Sequence, residues 1–315
     1  MTMERCLYCY KELAPGEHDY HSGCIKKAFG TKGLPQIPYT RENINELAHK
    51  LVLSRTTITG VQPKLSLHLA KGERNEPDRL TLVGMAGDYI LKPQAKAYPY
   101  LPENEDLTMH LAELAGIKVV PHTLARMADG ELCYLTRRID RTRAGLKIAM
   151  EDSCQLSGRL TEDKYHSSYE QVAKIVAQYS DVGKLDVVNY WEVVMFCWLT
   201  GNSDMHLKNF SLYNPTGDRW QFSPAYDMLA VRLAMPSDTE ELALTLNGKK
   251  SNIKKSDFVA AMARSEIDAL VVERMIKKFT KVFPKWETFV GQSFLPTELQ
   301  TEYISYISNM LDRLQ

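Results

Sequence analysis

Apolar residues recur at helical intervals, at strand intervals and in unbroken runs, and each spacing predicts a different element. Over residues 41–53, Ile44, Leu47, Ala48, Leu51 and Val52 share one helical face. Leu65, Leu67 and Leu69 then alternate with polar neighbours, the period of a strand with one buried face. Residues 79–83 and 89–92 extend the strand pattern after turn residues. Pro102 and Glu103 open a helix that Gly116 closes. Residues 117–125 and 131–138 predict two more strands around Ala128-Asp129-Gly130. The pattern then turns helical, at 150–158, 169–179, 187–200, 255–263, 266–283 and 299–314, with Pro284 and Pro296 as breaks. The 187–200 segment (Trp191, Val193, Val194, Met195, Phe196, Trp198, Leu199) is apolar nearly all round and predicts a buried helix. Two short β-like runs interrupt this half, NFSLY at 209–213 and RWQFS at 219–223, joined by the turn-rich NPTGD.

This order predicts an α+β fold with a small β-rich N-lobe at 41–140 and a larger helical C-lobe at 141–315. Residues 1–40 stand apart. Cys6, Cys9, His21 and Cys24 read C-x2-C-x11-H-x2-C, two close pairs that can wrap one tetrahedral Zn²⁺, with His18 as a rival to His21. Four protein ligands would leave no open position, so the expected zinc is structural. Residues 30–40, with Gly30, Gly33, Pro35 and Pro38, read as a linker.

Composition narrows the function. Lys+Arg equals Asp+Glu at 39 each, so the chain has no net charge, which argues against direct nucleic-acid binding through a basic surface. The longest apolar run, residues 193–199, is far short of a membrane span. No signal-like apolar stretch opens the sequence, and Cys133, Cys154 and Cys197 sit scattered in apolar settings; a cytoplasmic protein is expected.

The chemistry concentrates at 201–227. Asp204 and Asn209 stand five apart, and Asp227 follows after the paired β-like runs. Asp, Asn at +5, a hairpin and Asp is the spacing of a kinase catalytic loop followed by its metal-binding segment. A carboxylate at Asp204 can orient an acceptor hydroxyl, Asn209 and Asp227 offer hard oxygens to Mg²⁺, and Lys208 can offset phosphate charge. Upstream, the turn at 56–62 holds Thr57, Thr59, Gly60 and Gln62, and its backbone N–H groups can face phosphates. Lys92 ends the third strand, as the kinase order of phosphate loop then lysine requires, and Glu103 or Glu105 can pair with it.

These pieces resemble the HipA family of bacterial serine/threonine toxin kinases, a bilobal protein-kinase-like fold. The matching stretches are TITGVQPKLSL (57–67), YILKP (89–93), PENE (102–105), RRIDR (137–141), EDSCQLSG (151–158), GNSDMHLKNFSL (201–212) and SPAYD (223–227). The chain looks most similar to the short, HipT-like branch. The resemblance implies ATP and Mg²⁺ as cofactors, Asp204 as catalytic base, Asn209 and Asp227 as Mg²⁺ ligands, and Lys92 on the ATP phosphates. It also implies that His206 and Lys208 line the nucleotide site, that backbone near Arg137 and Ile139 meets adenine, and that Gln155 lies close by. Autophosphorylation of the phosphate loop would fall on Thr57 or Thr59. By the same resemblance the substrate is an aminoacyl-tRNA synthetase, and the partners are a helix-turn-helix antitoxin and a small accessory protein. A catalytically weak scaffold that binds an antitoxin is the rival reading, and a small-molecule kinase is a third.

Overall fold

Alternation in the first half does produce a sheet. In the computed structural model, which describes residues 4–44, 46, 64–73, 76–83, 87–142 and 144–315, the strands β1 (Leu65–Ala70), β2 (Arg79–Leu82), β3 (Tyr89–Pro93), β4 (His122–Arg126) and β5 (Leu132–Arg137) form one antiparallel sheet in the order β2-β1-β3-β5-β4. Leu65 faces Leu91 and Leu67 faces Tyr89 across β1 and β3, so the apolar alternation of both strands lands on the buried side. The predicted helix at 41–53 is described only at residues 41–44 and 46, which are helical. Thr57, Thr59, Gly60 and Gln62 lie outside the described residues.

The chain divides into two units. One comprises Met1–Asp106, Val120–Leu146 and Gln292–Phe294; the other comprises Leu107–Val119, Lys147–Gly291 and Leu295–Gln315. The break therefore falls after Leu146, six residues beyond the predicted 140/141 boundary, and the first forty residues belong with the five-stranded sheet. In that unit, helix α1 (Ser22–Phe29) ends at Gly30, and the 30–40 segment runs beside β2, where Gln36 N–H donates to Asp78 O and Leu80 N–H donates to Gln36 O, both at 2.9 Å.

Helix α2 (Leu101–Leu114) crosses from one unit to the other in sequence. The second unit begins its sheet with β6 (Ala149–Asp152), paired to β7 (Ser211–Asn214), which pairs in turn with β8 (Gln221–Phe222). A helix is expected over 150–158, but only one turn, α3 (Ser153–Leu156), forms there. Asp152 caps that turn in a full capping box with Gln155, and its backbone before the cap is already extended and paired to Ser211. Helices α4 (Tyr169–Tyr179), α5 (Lys184–Leu199), α6 (Val231–Ala234), α7 (Lys255–Ala263), α8 (Ala269–Val290) and α9 (Thr297–Asp312) complete the unit.

Pro284 does not stop the helix as expected. It lies inside α8, whose buried stripe of Val272, Met275, Ile276, Phe279, Val282, Trp286 and Val290 continues through it. A proline in a helix interior costs about 3 kcal/mol, and full burial of Trp286, with its indole N–H donating to Leu111 O at 2.8 Å, offsets a cost of that size. Among the described residues no helix is long and apolar enough to cross a membrane.

Candidate active site

Helix α5 buries Tyr190, Trp191, Val193, Val194, Met195, Phe196, Cys197, Trp198 and Leu199, and so forms a fixed base for the loop that follows. Gly201 turns the chain out of it at φ 72°, and a Cβ there would approach Arg232 Cβ at 2.9 Å and Tyr306 Cε1 at 3.0 Å. Both the angle and the close approach require glycine. Asn202, fully buried, donates its N–H to Cys197 O at 2.8 Å and accepts from the Asp204 N–H at 3.1 Å. Met205 and Leu207 are fully buried, and Tyr169 Oη donates to Met205 O at 3.1 Å. Asn202, Met205 and Leu207 thus anchor the loop inward.

The Asn209 amide donates to Asp204 O at 3.2 Å, which leaves its carbonyl oxygen as the group it can offer a cation. Asp227 sits at φ 60°, a left-handed conformation uncommon outside glycine, asparagine and aspartate, at the end of the 223–227 segment. Tyr226, the residue before it, donates to Lys208 O at 2.9 Å and meets Ser211 Oγ at 2.6 Å. Lys208 Nζ pairs with Asp152 Oδ2 at 2.9 Å.

Tyr165 is the residue that sequence reasoning missed. Its hydroxyl donates to Asp204 Oδ1 at 2.6 Å, and its ring meets His206 edge-on at 5.0 Å. Burial pushes its phenol above the ordinary value, and the hydrogen bond and charge of Asp204 and the charge of Asp227 push the same way. Burial holds the His206 imidazole below its ordinary value, against the pull of the same two carboxylates, so the ring is neutral at pH 7. Asp204 and Asp227 therefore act electrostatically on the same pair of rings. His206 is 7% exposed, and its Nδ1 has no hydrogen-bond partner among the described residues.

Gln155 is exposed, and its side chain accepts the Asp152 N–H at 3.0 Å in the capping box. Asp152 was legible as the first residue of D-S-C-Q, a capping-box spelling. No pattern in the sequence marks Tyr165.

In the first unit, Lys92 and Glu105 are 4% and 2% exposed and pair at 2.5 Å from Nζ to Oε1. This decides between the two candidate glutamates. Lys92 also lies 5.4 Å from the centroid of the Tyr134 ring. The Arg137 N–H donates to Pro121 O at 2.8 Å, Arg138 makes two bonds to Asp140 at 2.8 and 2.6 Å, and Ile139 lies half-buried on the bend that follows β5. Elsewhere in this unit, the ligand atoms of Cys6, Cys9, His21 and Cys24 lie within 4.8 Å of one another. His18 is 83% exposed at its side chain and faces Glu4, outside that cluster.

A family model described as HipA-like C-terminal domain matches residues 56–286. A putative kinase of Haemophilus influenzae is 27% identical over 292 residues, covering 83% of this chain and 82% of the relative. The serine/threonine-protein kinase toxin HipA of Shewanella oneidensis is 28% identical over 216 residues, covering 59% of this chain, and the putative kinase Y4mE of Sinorhizobium fredii is 32% identical over 212 residues, covering 64%. This chain spans only 47% and 48% of those two relatives. Among solved structures, Shewanella HipA, in a complex with HipB and operator DNA, superposes with a TM-score of 0.67 at 19% identity, covering 88% of this chain and 71% of that one. The Helicobacter pylori proinflammatory kinase CtkA gives 0.52 at 14% identity, covering 79% and 93%. These similarities extend across both units, and the chain belongs to the HipA-like kinase family.

Proposed function

We propose that this chain is an ATP- and Mg²⁺-dependent serine/threonine kinase that acts as the toxin of a toxin–antitoxin pair. The carrying observation is Asp204, buttressed from behind by Asn202 and Asn209 and holding a hydroxyl donor, Tyr165, on its carboxylate. A substrate hydroxyl bound in the same way would give its proton to Asp204 as its oxygen bonds to the γ-phosphorus. The bond from that phosphorus to the β,γ-bridging oxygen breaks and ADP leaves. Lys92, fixed by Glu105, would hold the ATP phosphates. Asn209 and Asp227 present the hard oxygens that suit Mg²⁺. The metal, when bound, neutralises phosphate charge. Neutral His206 and cationic Lys208 would border the nucleotide. Gly60 and Gln62 would belong to the phosphate loop, and backbone near Arg137 and Ile139 would meet adenine.

The toxin role rests on the Shewanella relative, which is named a kinase toxin, and on its solved complex with HipB and DNA. By the same likeness the partner would be a DNA-binding antitoxin, helped by a small accessory protein. An aminoacyl-tRNA synthetase is the proposed substrate, and Thr57 or Thr59 the autophosphorylation site. Intact-mass and phosphopeptide analysis of the wild type and Asp204→Ala, with and without Mg-ATP, tests the reading. Phosphate on Thr57 or Thr59 in the wild type alone supports it. No phosphate and no ATP binding in the wild type would replace it with the scaffold reading.

A further inference from the structure

The Cys/His cluster has no part in phosphoryl transfer, yet it is built to a metal's dimensions. Tetrahedral bonds of about 2.3 Å to sulfur and about 2.0 Å to nitrogen set ligand atoms roughly 3.5–3.8 Å apart. Cys9 Sγ and Cys24 Sγ lie 3.5 and 3.8 Å from His21 Nδ1. The other ring nitrogen, Nε2, is 3.0 Å from Glu12 O. A carbonyl can only accept, so Nε2 carries a proton, and in the neutral ring the lone pair lies on Nδ1, which faces the sulfurs of Cys9 and Cys24. All three cysteines are free of disulfides.

The cluster is also wired into the lysine site. Tyr10, the residue after Cys9, is fully buried at φ 61°, and its hydroxyl donates to Asp106 Oδ2 at 2.8 Å. The other oxygen of Asp106 meets His122 Nδ1 at 2.7 Å. His122 stacks on Tyr134, the ring beside Lys92, and Asp106 is the neighbour of Glu105, which pairs with Lys92.

We propose that Cys6, Cys9, His21 through Nδ1, and Cys24 bind one structural Zn²⁺, and that the metal, by fixing Tyr10 on Asp106, holds helix α2 in the position that pairs Glu105 with Lys92. The second half rests on the reading of Lys92 as the ATP lysine; the first does not. Four protein ligands fill the coordination sphere, so the ion orders this module and takes no part in chemistry.

The full-length protein, purified without chelator, is expected to hold one zinc per chain. After exchange with Co²⁺ it should show the sulfur-to-cobalt charge-transfer and intense visible bands of a tetrahedral thiolate site. His21→Cys should keep the metal, whereas His21→Ala should lose it. Less than about a tenth of an equivalent of zinc together with an octahedral cobalt spectrum overturns the site, as does a disulfide among the three cysteines in the purified protein. For the coupling, binding of a fluorescent ATP analogue is compared among zinc-loaded wild type, chelated wild type, Tyr10→Phe and Lys92→Ala. Chelation and Tyr10→Phe should each weaken binding by about 5–10-fold, the worth of one buried hydrogen bond. Weakening in Lys92→Ala alone refutes the coupling and leaves the zinc site standing. No change in Lys92→Ala removes the assigned role of Lys92, and with it the coupling, again without touching the metal.

Discussion

Tyr165 donates its hydroxyl to Asp204 Oδ1, the atom on which the proposed reaction would seat an acceptor hydroxyl. The ring is steadied by His206 on its edge and by Lys164, whose ammonium lies 4.9 Å from its centroid. On the proposed reading, a side chain so placed would compete with substrate for the carboxylate. Tyr165→Phe removes the competing donor and keeps the ring. Steady-state kinetics of phosphate transfer to a protein acceptor should show kcat/KM raised by about 2–10-fold, the worth of one hydrogen bond. An unchanged or lowered value would mean that the phenol only orients Asp204. At this scale the sequence was uneven. Asp204, Asn209 and Asp227 could be proposed from the sequence because kinase chemistry fixes both residue type and spacing. Lys92 could be named, but its partner could not be chosen, since Glu103 and Glu105 are two residues apart and only packing decides which one turns inward. Tyr165 gave no sign, because its role depends on the path of the 159–168 loop in space and not on a repeat or a spacing.

At the scale of the element, helix α2 shows what that choice of glutamate entails. Glu105 pairs with Lys92, while Glu103 is half-buried, with its Oε2 shielded from solvent and unpartnered among the described residues. Burial pushes Glu103 up to about 7 from an ordinary 4.5. The folded state therefore keeps a proton that the unfolded chain has released above about pH 4.5. Its share of stability is fully present below that pH and is lost as pH rises through about 7. The full span corresponds to about 3 kcal/mol. Thermal melts of the wild type should fall between pH 5 and 8 by more than those of Glu103→Gln, and the variant should be the more stable of the two at pH 8. Parallel pH profiles for the two proteins would remove Glu103 as the cause. Helix α8 and strand β6 show where local signals failed. Pro284 reads as a stop, but a stripe of buried side chains that continues on both sides outweighs it. Residues 150–152 read as helix because the pairing partner that makes them a strand lies some sixty residues further on, in β7.

Across the whole molecule, residues 4–40 are part of the unit that holds the five-stranded sheet. Tyr20 Oη donates to Leu124 O, Thr123 Oγ1 to Leu7 O at 3.3 Å, and Tyr89 Oη to Ala28 O at 3.3 Å, each bond joining this segment to the five-stranded sheet. Leu7, Tyr10, Tyr20 and Phe29 are all buried. A chain shortened to begin at Arg41 would uncover that apolar surface on β3 and β4. It should melt at least about 10 °C lower than the full chain or be recovered only as aggregate, as calorimetry and light scattering would show. An unchanged melting temperature would make the segment dispensable to the fold. The α+β class and the two-lobed division were legible from the switch between period-two and helical spacing. The attachment of the first forty residues was not. The pairs that carry it are separated by 61 to 116 positions, a range at which no local pattern speaks.

The left-handed backbone at Asp227 also restricts how this chain could drift over generations. Most replacements there would disturb the turn as well as remove the charge, so they would be purged for folding as well as for activity. Asparagine and glycine tolerate the angle. A descendant that had given up phosphoryl transfer but still kept its shape would thus tend to carry one of those two residues at this position. Its presence in a relative would be a readable mark of a silenced copy.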